Sequence, residues 1–335
     1  MAYRARDLLR LAREDHTDQV RDLEDGALGF LAHLDTALDE LVRRTLAAWT
    51  RLFGGPDATG AGGALDGLVS AVRTAVRRLL APLGVQAAKA LAKALAAAVK
   101  MGAAQGAVFL RAASGRAAGV PRVRVPRGLR REAAAVEGVV DDWRDRALAL
   151  LERGRVSRWS HLLHAIGAAR SAGSAVRGHG AWVVGQAVNT GLAAVAQAAG
   201  LARVWVSEAD ACVVCLVYAG RIARPGGSFP GGLSWDPNRR RPAAKPIDGP
   251  PAHINCRCRA VPWDQRWRAD GVPFPLALQR EAQRSVAYGR TTGAESRASR
   301  VRAAAELLRT QPELLPAVQA RARTAVRTGH FPAAA

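Results

Sequence analysis

Cys212-Val213-Val214-Cys215, followed after a long Gly/Pro-rich stretch by His253-Ile254-Asn255-Cys256-Arg257-Cys258, decides how this chain is read. These two segments hold all four cysteines of a 335-residue protein. Two thiols three residues apart can grip one ion from a tight turn. A second donor pair then closes the tetrahedron and fixes the loop between them. Soft sulfur and imidazole donors with no carboxylate among them favour Zn²⁺, one ion in a closed structural site. Closure can follow two routes. Cys256 and Cys258 point to the same face of a strand, which gives four cysteine ligands with His253 outside. Alternatively His253 is the fourth ligand and one of Cys256 or Cys258 stays outside. The candidate metal ligands are therefore Cys212, Cys215, His253, Cys256 and Cys258. Disulfides are disfavoured, because no secretory signal precedes these residues and the expected compartment is reducing.

The words around the cysteines carry a resemblance. The first runs Trp205-Val206-Ser207-Glu208-Ala209-Asp210-Ala211-Cys212-Val213-Val214-Cys215, then Gly220. The second runs Pro250-Pro251-Ala252-His253-Ile254-Asn255-Cys256-Arg257-Cys258. Together they resemble the MuF-like phage minor head proteins, also called phage head morphogenesis proteins. That family has a Trp, an acidic residue shortly before Cys-x-x-Cys, a Gly, and a Pro-x-His-Pro-x-Cys-Arg-Cys ending. Here Ile254 stands where the family has Pro, Glu208 or Asp210 fills the acidic position, and the connecting loop is longer. The Ala-rich stretch Gly185–Gly200 is similar to the helix that precedes the family's Trp, so the resemblance spans residues 130–263.

What the resemblance implies is a structural minor component of a tailed-phage head. Its partner would be the portal protein, with scaffold or major capsid protein and DNA as further contacts. It would act in head assembly and in DNA packaging or delivery, inside the virion and, during assembly, in the host cytoplasm. Neither a membrane nor a small-molecule substrate is expected.

Charge is distributed unevenly. The formal net charge is +21, yet residues 1–66 hold 8 basic and 12 acidic side chains. Residues 67–131 hold 13 basic and no acidic ones. A block without a carboxylate suits a polyanion or an acidic partner surface, and contact with phosphates would be salt-dependent. Its densest part is the Pro/Gly-broken stretch 114–131, where Arg116, Arg122, Arg124, Arg127, Arg130 and Arg131 are the candidate nucleic-acid contacts. Aromatic residues are absent there, which argues against base stacking. Val120, Val123 and Val125 could form a short strand. Lys89, Lys93 and Lys100 recur along one side of the preceding helix as a solubilising or docking stripe.

The expected fold is mainly α: Ala-rich helical domains with one small β/loop zinc-stapled module. The chain is 49% hydrophobic but only 5% aromatic, so helices form readily and bury little bulk per residue. Four regions follow. Residues 1–113 are helical and basic from about 67; 114–131 are a basic linker; 132–263 are the head-morphogenesis-like domain with the zinc module at 204–263; 264–335 are helical. Residues 3–25 carry only a narrow apolar stripe and read as an exposed helix or partner-binding arm. Helices are expected over 27–53, 65–80, 85–113, 132–154 and 156–178. The uncharged stretch 178–202 reads as a helix buried by its small residues rather than a membrane span. Short strands are expected at Val204-Trp205-Val206, after Tyr218, and from Cys258. Residues 276–328 return to helix with a break near Pro312 or Pro316. His161 and His164 read as packing or surface histidines.

Catalytic signatures are lacking. There is no Gly-x-Ser-x-Gly, no His-Glu-x-x-His and no phosphate loop. A zinc deaminase would need a His-x-Glu and a Pro directly before the first cysteine pair, which Ala211 occupies. The chain is expected not to be an enzyme. A zinc-stapled nucleic-acid-binding protein is the alternative, and a metal-dependent nuclease or hydrolase the third reading.

Overall fold

The structure, a computed structural model, describes residues 4–117, 119–152, 154–254, 256–267, 272–290, 295–311 and 313–332. It is mainly α, 66% helix and 5% strand, with a small three-stranded sheet beside the cysteines, as the composition implied. In chain order come α1 (Ala5–Arg10), a π-helical turn (Leu11–Asp15), α2 (His16–Leu28), α3 (Leu31–Phe53), α4 (Gly62–Leu80), α5 (Leu83–Ser114), α6 (Arg127–Ala134), α7 (Val136–Ala149) and α8 (Trp159–Ala198). Then follow β1 (Ala202–Val206), the single turn α9 (Val213–Leu216), β2 (Ile222–Ala223), a 3-10 turn (Pro237–Arg239), β3 (Arg259–Trp263), α10 (Phe274–Ala287), α11 (Arg297–Thr310) and α12 (Pro316–Thr328).

These elements form two compact units that are not consecutive blocks of sequence. One comprises Leu23–Leu95 and Pro126–Val183; the other comprises Met1–Asp22, Ala96–Val125 and Val184–Ala335. In the first unit α4 packs on α3 and α7. Leu31, Leu38, Val72, Val76, Leu80, Val140 and Trp49 are buried there, so the helical spacing of apolar residues in α3 and α4 translates directly into a core. Arg177 pairs with Asp35 at 2.5 Å, and His179 Nε2 donates to the Glu132 carbonyl at 2.6 Å. His161 Nδ1 accepts from the backbone N–H of Ser157, a helix-start contact and not a ligand role.

The second unit contains the sheet, in the order β2-β1-β3, antiparallel throughout. β1 pairs with β3 from Ala202↔Trp263 to Val206↔Arg259. Within this unit α5 and α8 meet through glycine. A Cβ on Gly102 would lie 1.9 Å from the Val188 carbonyl oxygen, and one on Gly191 would lie 2.2 Å from that of Val99. Small residues thus let two backbones touch where a chain poor in bulky side chains could not fill a wider gap. The stretch 178–202 is helical and its apolar residues are buried, Val184, Ala187 and Leu192 fully so. The helical stretch Gly62–Ser114 is long and apolar enough to cross a bilayer by length and composition, and 44% of that window is buried.

Several expectations are corrected. Residues 3–25 are not an exposed arm: from residue 4 onward they form α1, the π-turn and most of α2, with Leu8, Ala12, His16, Thr17 and Val20 buried. The narrow apolar stripe was misleading because polar residues, His16 and Thr17, extend the buried face. Val120, Val123 and Val125 form no strand; no neighbouring strand offers them backbone partners. The stretch 114–131 is irregular only to Pro126, since α6 begins at Arg127. The helices expected separately over 156–178 and 178–202 are one 40-residue helix, α8, because its glycines sit at close contacts: a Cβ on Gly180 would lie 2.7 Å from Leu28 Cδ1. C-terminally, α12 opens at Pro316 as expected, α10 ends at Ala287 ahead of Gly289 with its φ of 67°, and Pro312 lies outside the described residues.

Substituting Gly102 or Gly191 by Ala should push α5 and α8 apart and cost about 1–3 kcal/mol or more, as overpacking does. Gly138→Ala in α7, where a Cβ meets nothing within 4 Å, should stabilise by about 0.5–1 kcal/mol. Thermal unfolding of the three variants reads both signs at once.

Candidate metal centre

The first cysteine pair is set by a single helical turn. Cys212 precedes α9, and its carbonyl accepts from the N–H groups of Cys215 and Leu216, both at 2.9 Å. This turn puts both sulfurs on one side. The preceding strand β1 anchors it through Trp205, which is fully buried. Trp205 stacks on Tyr218 with centroids 4.6 Å apart and meets Phe229 edge-on at 5.2 Å. Gly220 returns the chain to β2 with φ of 75°. A Cβ there would lie 2.2 Å from the Pro275 carbonyl oxygen, so the position requires glycine twice over.

The second segment enters through Pro250-Pro251, joined by a cis peptide bond. His253 and Cys256 share a turn, Cys256 N–H donating to the His253 carbonyl at 3.1 Å. Cys258 leads directly into β3. Asn189 of α8 holds this entry: its side-chain nitrogen donates to the Cys258 carbonyl at 3.2 Å, and its oxygen accepts from Ala260 N–H at 2.9 Å. The helix is thereby bolted to the cysteine-bearing strand by one amide satisfied on both sides.

All five donors converge. His253 Nε2 lies 3.0 Å from Cys212 Sγ and 3.1 Å from Cys215 Sγ. Cys215 Sγ lies 3.4 Å from Cys256 Sγ. Cys212, Cys215 and His253 form one trio and Cys215, Cys256 and Cys258 another, each with its ligand atoms within 4.8 Å of one another. The two trios share Cys215. His253 Nδ1 donates to the Ile254 carbonyl at 2.6 Å, which fixes the tautomer and leaves Nε2 free for the thiols or an ion. Asn255 lies outside the described residues.

The electrostatics suit a cation. A hydrogen bond from Cys215 and the neighbouring His253 hold the Cys212 thiol down at about 4. The hydrogen bond to Cys212 raises His253 to about 9. Contact with Cys212 and the other two thiols pushes Cys215 up, burial pushes Cys258 up, and hydrogen bonds from Cys215 and Cys258 hold Cys256 down against its burial. Thiolates crowded like this repel one another unless shared protons or an ion offset their charge. The residues fit a metal ion: the sulfur and imidazole donors exceed the four a tetrahedral ion needs.

Around the donors lies a shell of buried charge that local patterning did not reveal. Glu295, just before α11, accepts from Val213 N–H at 3.1 Å and pairs with Arg300 at 2.9 Å. Arg300, 1% exposed, donates to the Ala211 carbonyl at 2.9 Å. Asp236 of the connecting loop is fully buried and binds Arg302 at 2.7 Å and Ser299 at 2.6 Å. From the N-terminus, Arg13 donates to the Ser207 carbonyl at 2.8 Å and Thr17 donates to Glu208 at 2.8 Å. Arg259 completes that link by donating to Thr17 Oγ1 at 2.7 Å. Burial raises Glu208 and lowers both Arg259 and Arg300. A cavity of about 160 Å³ borders the donors and is lined also by Glu208, Asp210, Arg239, Arg257 and Glu295.

The candidate nucleic-acid residues lie elsewhere. Arg116, Arg122 and Arg124 are exposed in the irregular stretch after α5, and Arg127, Arg130 and Arg131 are exposed on α6. Arg116 lies within electrostatic reach of Asp264. Lys89, Lys93 and Lys100 are exposed on α5. Asn189 left one signal in the sequence, a polar residue within the uncharged stretch 178–202. Glu295, Arg300, Asp236 and Thr17 left none, since the contacts that join them to the cysteine module or its loop span 63 to 242 residues. Comparison of the chain with protein-family models, curated proteins and solved structures gives no match.

Asn189→Ala should loosen the second cysteine pair and weaken metal affinity about 10–100-fold, as loss of an outer support does; competition with a chromogenic chelator measures it. Arg300→Met leaves Glu295 buried without its closest partner and should cost about 3–5 kcal/mol. The double variant Arg300→Met, Glu295→Gln should recover most of that in denaturant unfolding of the metal-loaded protein.

Proposed function

We propose that this chain is a structural minor head protein of a tailed phage or prophage, of the MuF-like head morphogenesis kind. One Zn²⁺, held by four of Cys212, Cys215, His253, Cys256 and Cys258, staples the module at 204–263. The observation that carries the reading is the assembly of the motif itself. Cys-x-x-Cys and His-x-x-Cys-x-Cys, 38 residues or more apart in sequence, meet at one point behind a sheet whose buried Trp205 and Gly220 are the family's other marks. Soft donors in excess of four favour zinc and leave no vacant coordination position for a substrate. The ion is therefore a staple, and the chain is not an enzyme. In this reading the protein docks on the portal, with scaffold or major capsid protein as further contacts. The exposed arginines at 116–131 touch packaged DNA through its phosphates. It resides in the virion interior, and in the host cytoplasm during assembly.

The second reading, a zinc-stapled nucleic-acid-binding protein, is favoured by one observation: all six arginines of 116–131 are exposed.

Elemental analysis of the purified protein should find one zinc per chain, lost with cooperative folding in Cys212→Ser. Between His253→Ala and Cys258→Ser, the variant that keeps its zinc identifies the spare donor. Co-expression with the portal protein encoded by the same phage should yield a stable complex. A metal-loaded protein that binds DNA but no portal turns the assignment to the second reading, and cleavage of DNA with added divalent metal overturns the structural role.

A further inference from the structure

We infer that the loop between the two cysteine segments forms a binding pocket for a phosphate ester of nucleotide size, a site that borders the candidate metal donor His253 and is distinct from the arginines of 116–131. The inference concerns the loop alone and stands whatever assembly the protein serves.

The loop is not a slack connection. Phe229 and Ile247 exchange backbone hydrogen bonds at 2.8 and 2.9 Å, and Phe229 is buried against Trp205. Arg241 N–H donates to the Gly232 carbonyl and Ala244 N–H to the Arg241 carbonyl, both at 2.9 Å. The two arms touch at glycine: a Cβ on Gly231 would lie 1.9 Å from the Lys245 carbonyl oxygen, and one on Gly232 would lie 1.9 Å from that of Arg241. The buried Asp236 ties the loop's tip to Arg302 and Ser299. This construction places Arg239, Arg240, Arg241 and Lys245 along a cavity of about 420 Å³ that Tyr218, Asn238 and His253 also line. The size falls in the range of small-ligand sites.

Charge supplies the ligand class. No carboxylate lines the cavity. Arg239 pairs with Glu295 and Arg240 with Glu306, but those two acids also serve Arg300 and Arg309. Arg241 and Lys245 make no ion pair among the described residues. Three arginines and a lysine, all exposed, line one concave space that no carboxylate borders, which suits an anion with several acceptor oxygens. Phosphate matches the guanidinium fork. The ligand is then either a free nucleotide or one nucleotide of a strand, which share this chemistry.

The test uses the full, zinc-loaded chain and three probes: inorganic pyrophosphate, AMP, and a short fluorescein-labelled single-stranded DNA. Wild type is compared with Arg241→Gln/Lys245→Gln, and with Arg116→Gln/Arg122→Gln/Arg124→Gln as the control for the other basic stretch. Zinc content and circular dichroism confirm that each variant is folded. Neither Arg241 nor Lys245 bears a structural ion pair, so the loop variant is expected to fold normally. Pyrophosphate should bind wild type and weaken about tenfold or more in the loop variant, while the 116–124 variant binds it as wild type does. AMP binding with the same loss identifies a free nucleotide. Loss on the DNA probe without AMP binding identifies a strand, and the slope of log affinity against log salt should then fall by about 1.4 for the two contacts removed from a single strand. Pyrophosphate that fails to bind wild type at about 50 mM salt, or that binds wild type and loop variant equally, overturns the assignment.

Discussion

Everything in the site-bearing unit depends on bringing two short donor segments to one point. Cys212 and Cys215 stand on one turn; His253, Cys256 and Cys258 stand on another segment beyond a long loop. Left to themselves these groups would not stay together, because burial strips solvent from each thiolate that forms and neighbouring thiolates repel one another. A metal ion reverses that balance. Structural zinc sites of this donor type release about 10–16 kcal/mol on binding, comparable to a typical domain's whole net stability. The sheet, the stacked Trp205 and Tyr218, and the amide of Asn189 hold the five side chains where an ion could bind them.

That placement is made at long range, largely by buried charge. Arg13, Arg259 and Arg300 each reach a backbone carbonyl or a side chain next to the cysteine segments, and Glu208 and Glu295 offset their charge. Such groups rarely gain much net stability over apolar packing. What they supply here is direction. Helices made mainly of alanine offer few shapes that interlock, whereas an arginine fork accepts only a few partner geometries. The N-terminal helices and α11 are thereby fixed to the cysteine module at defined positions.

The same poverty of bulk explains the rest of the packing. Where α5 meets α8 in this unit, Gly102 and Gly191 let one helix rest on the other's carbonyls. In the other unit, Leu31, Leu38 and Trp49 of α3 supply ordinary apolar faces. Cationic residues, in large excess, are left outward. Some of them face solvent along α5 and α6. Others, in the connecting loop, are exposed too and line a cavity beside the point where Gly231 and Gly232 allow the chain to double back.

Local sequence was enough for much of this. Helical periodicity gave most of the helices of the first unit, since apolar spacing acts within a few turns. The cysteine and histidine spacing gave the donor set and the sites of the three strands, since a chelating turn is a local structure. Pro316 marked the start of α12 because proline's missing N–H is harmless there. Tertiary structure alone decided three things. It merged two expected helices into α8, because glycines that look like breaks are contact points once a neighbour arrives. It buried the N-terminal segment, because the partners of Arg13 and Thr17 lie more than 190 residues away. And it made a basic pocket from an unremarkable Gly/Pro/Arg loop, because the meeting of its arms is set by backbone approach at two glycines. Local rules see the residues that make a turn; only the folded chain decides what that turn faces.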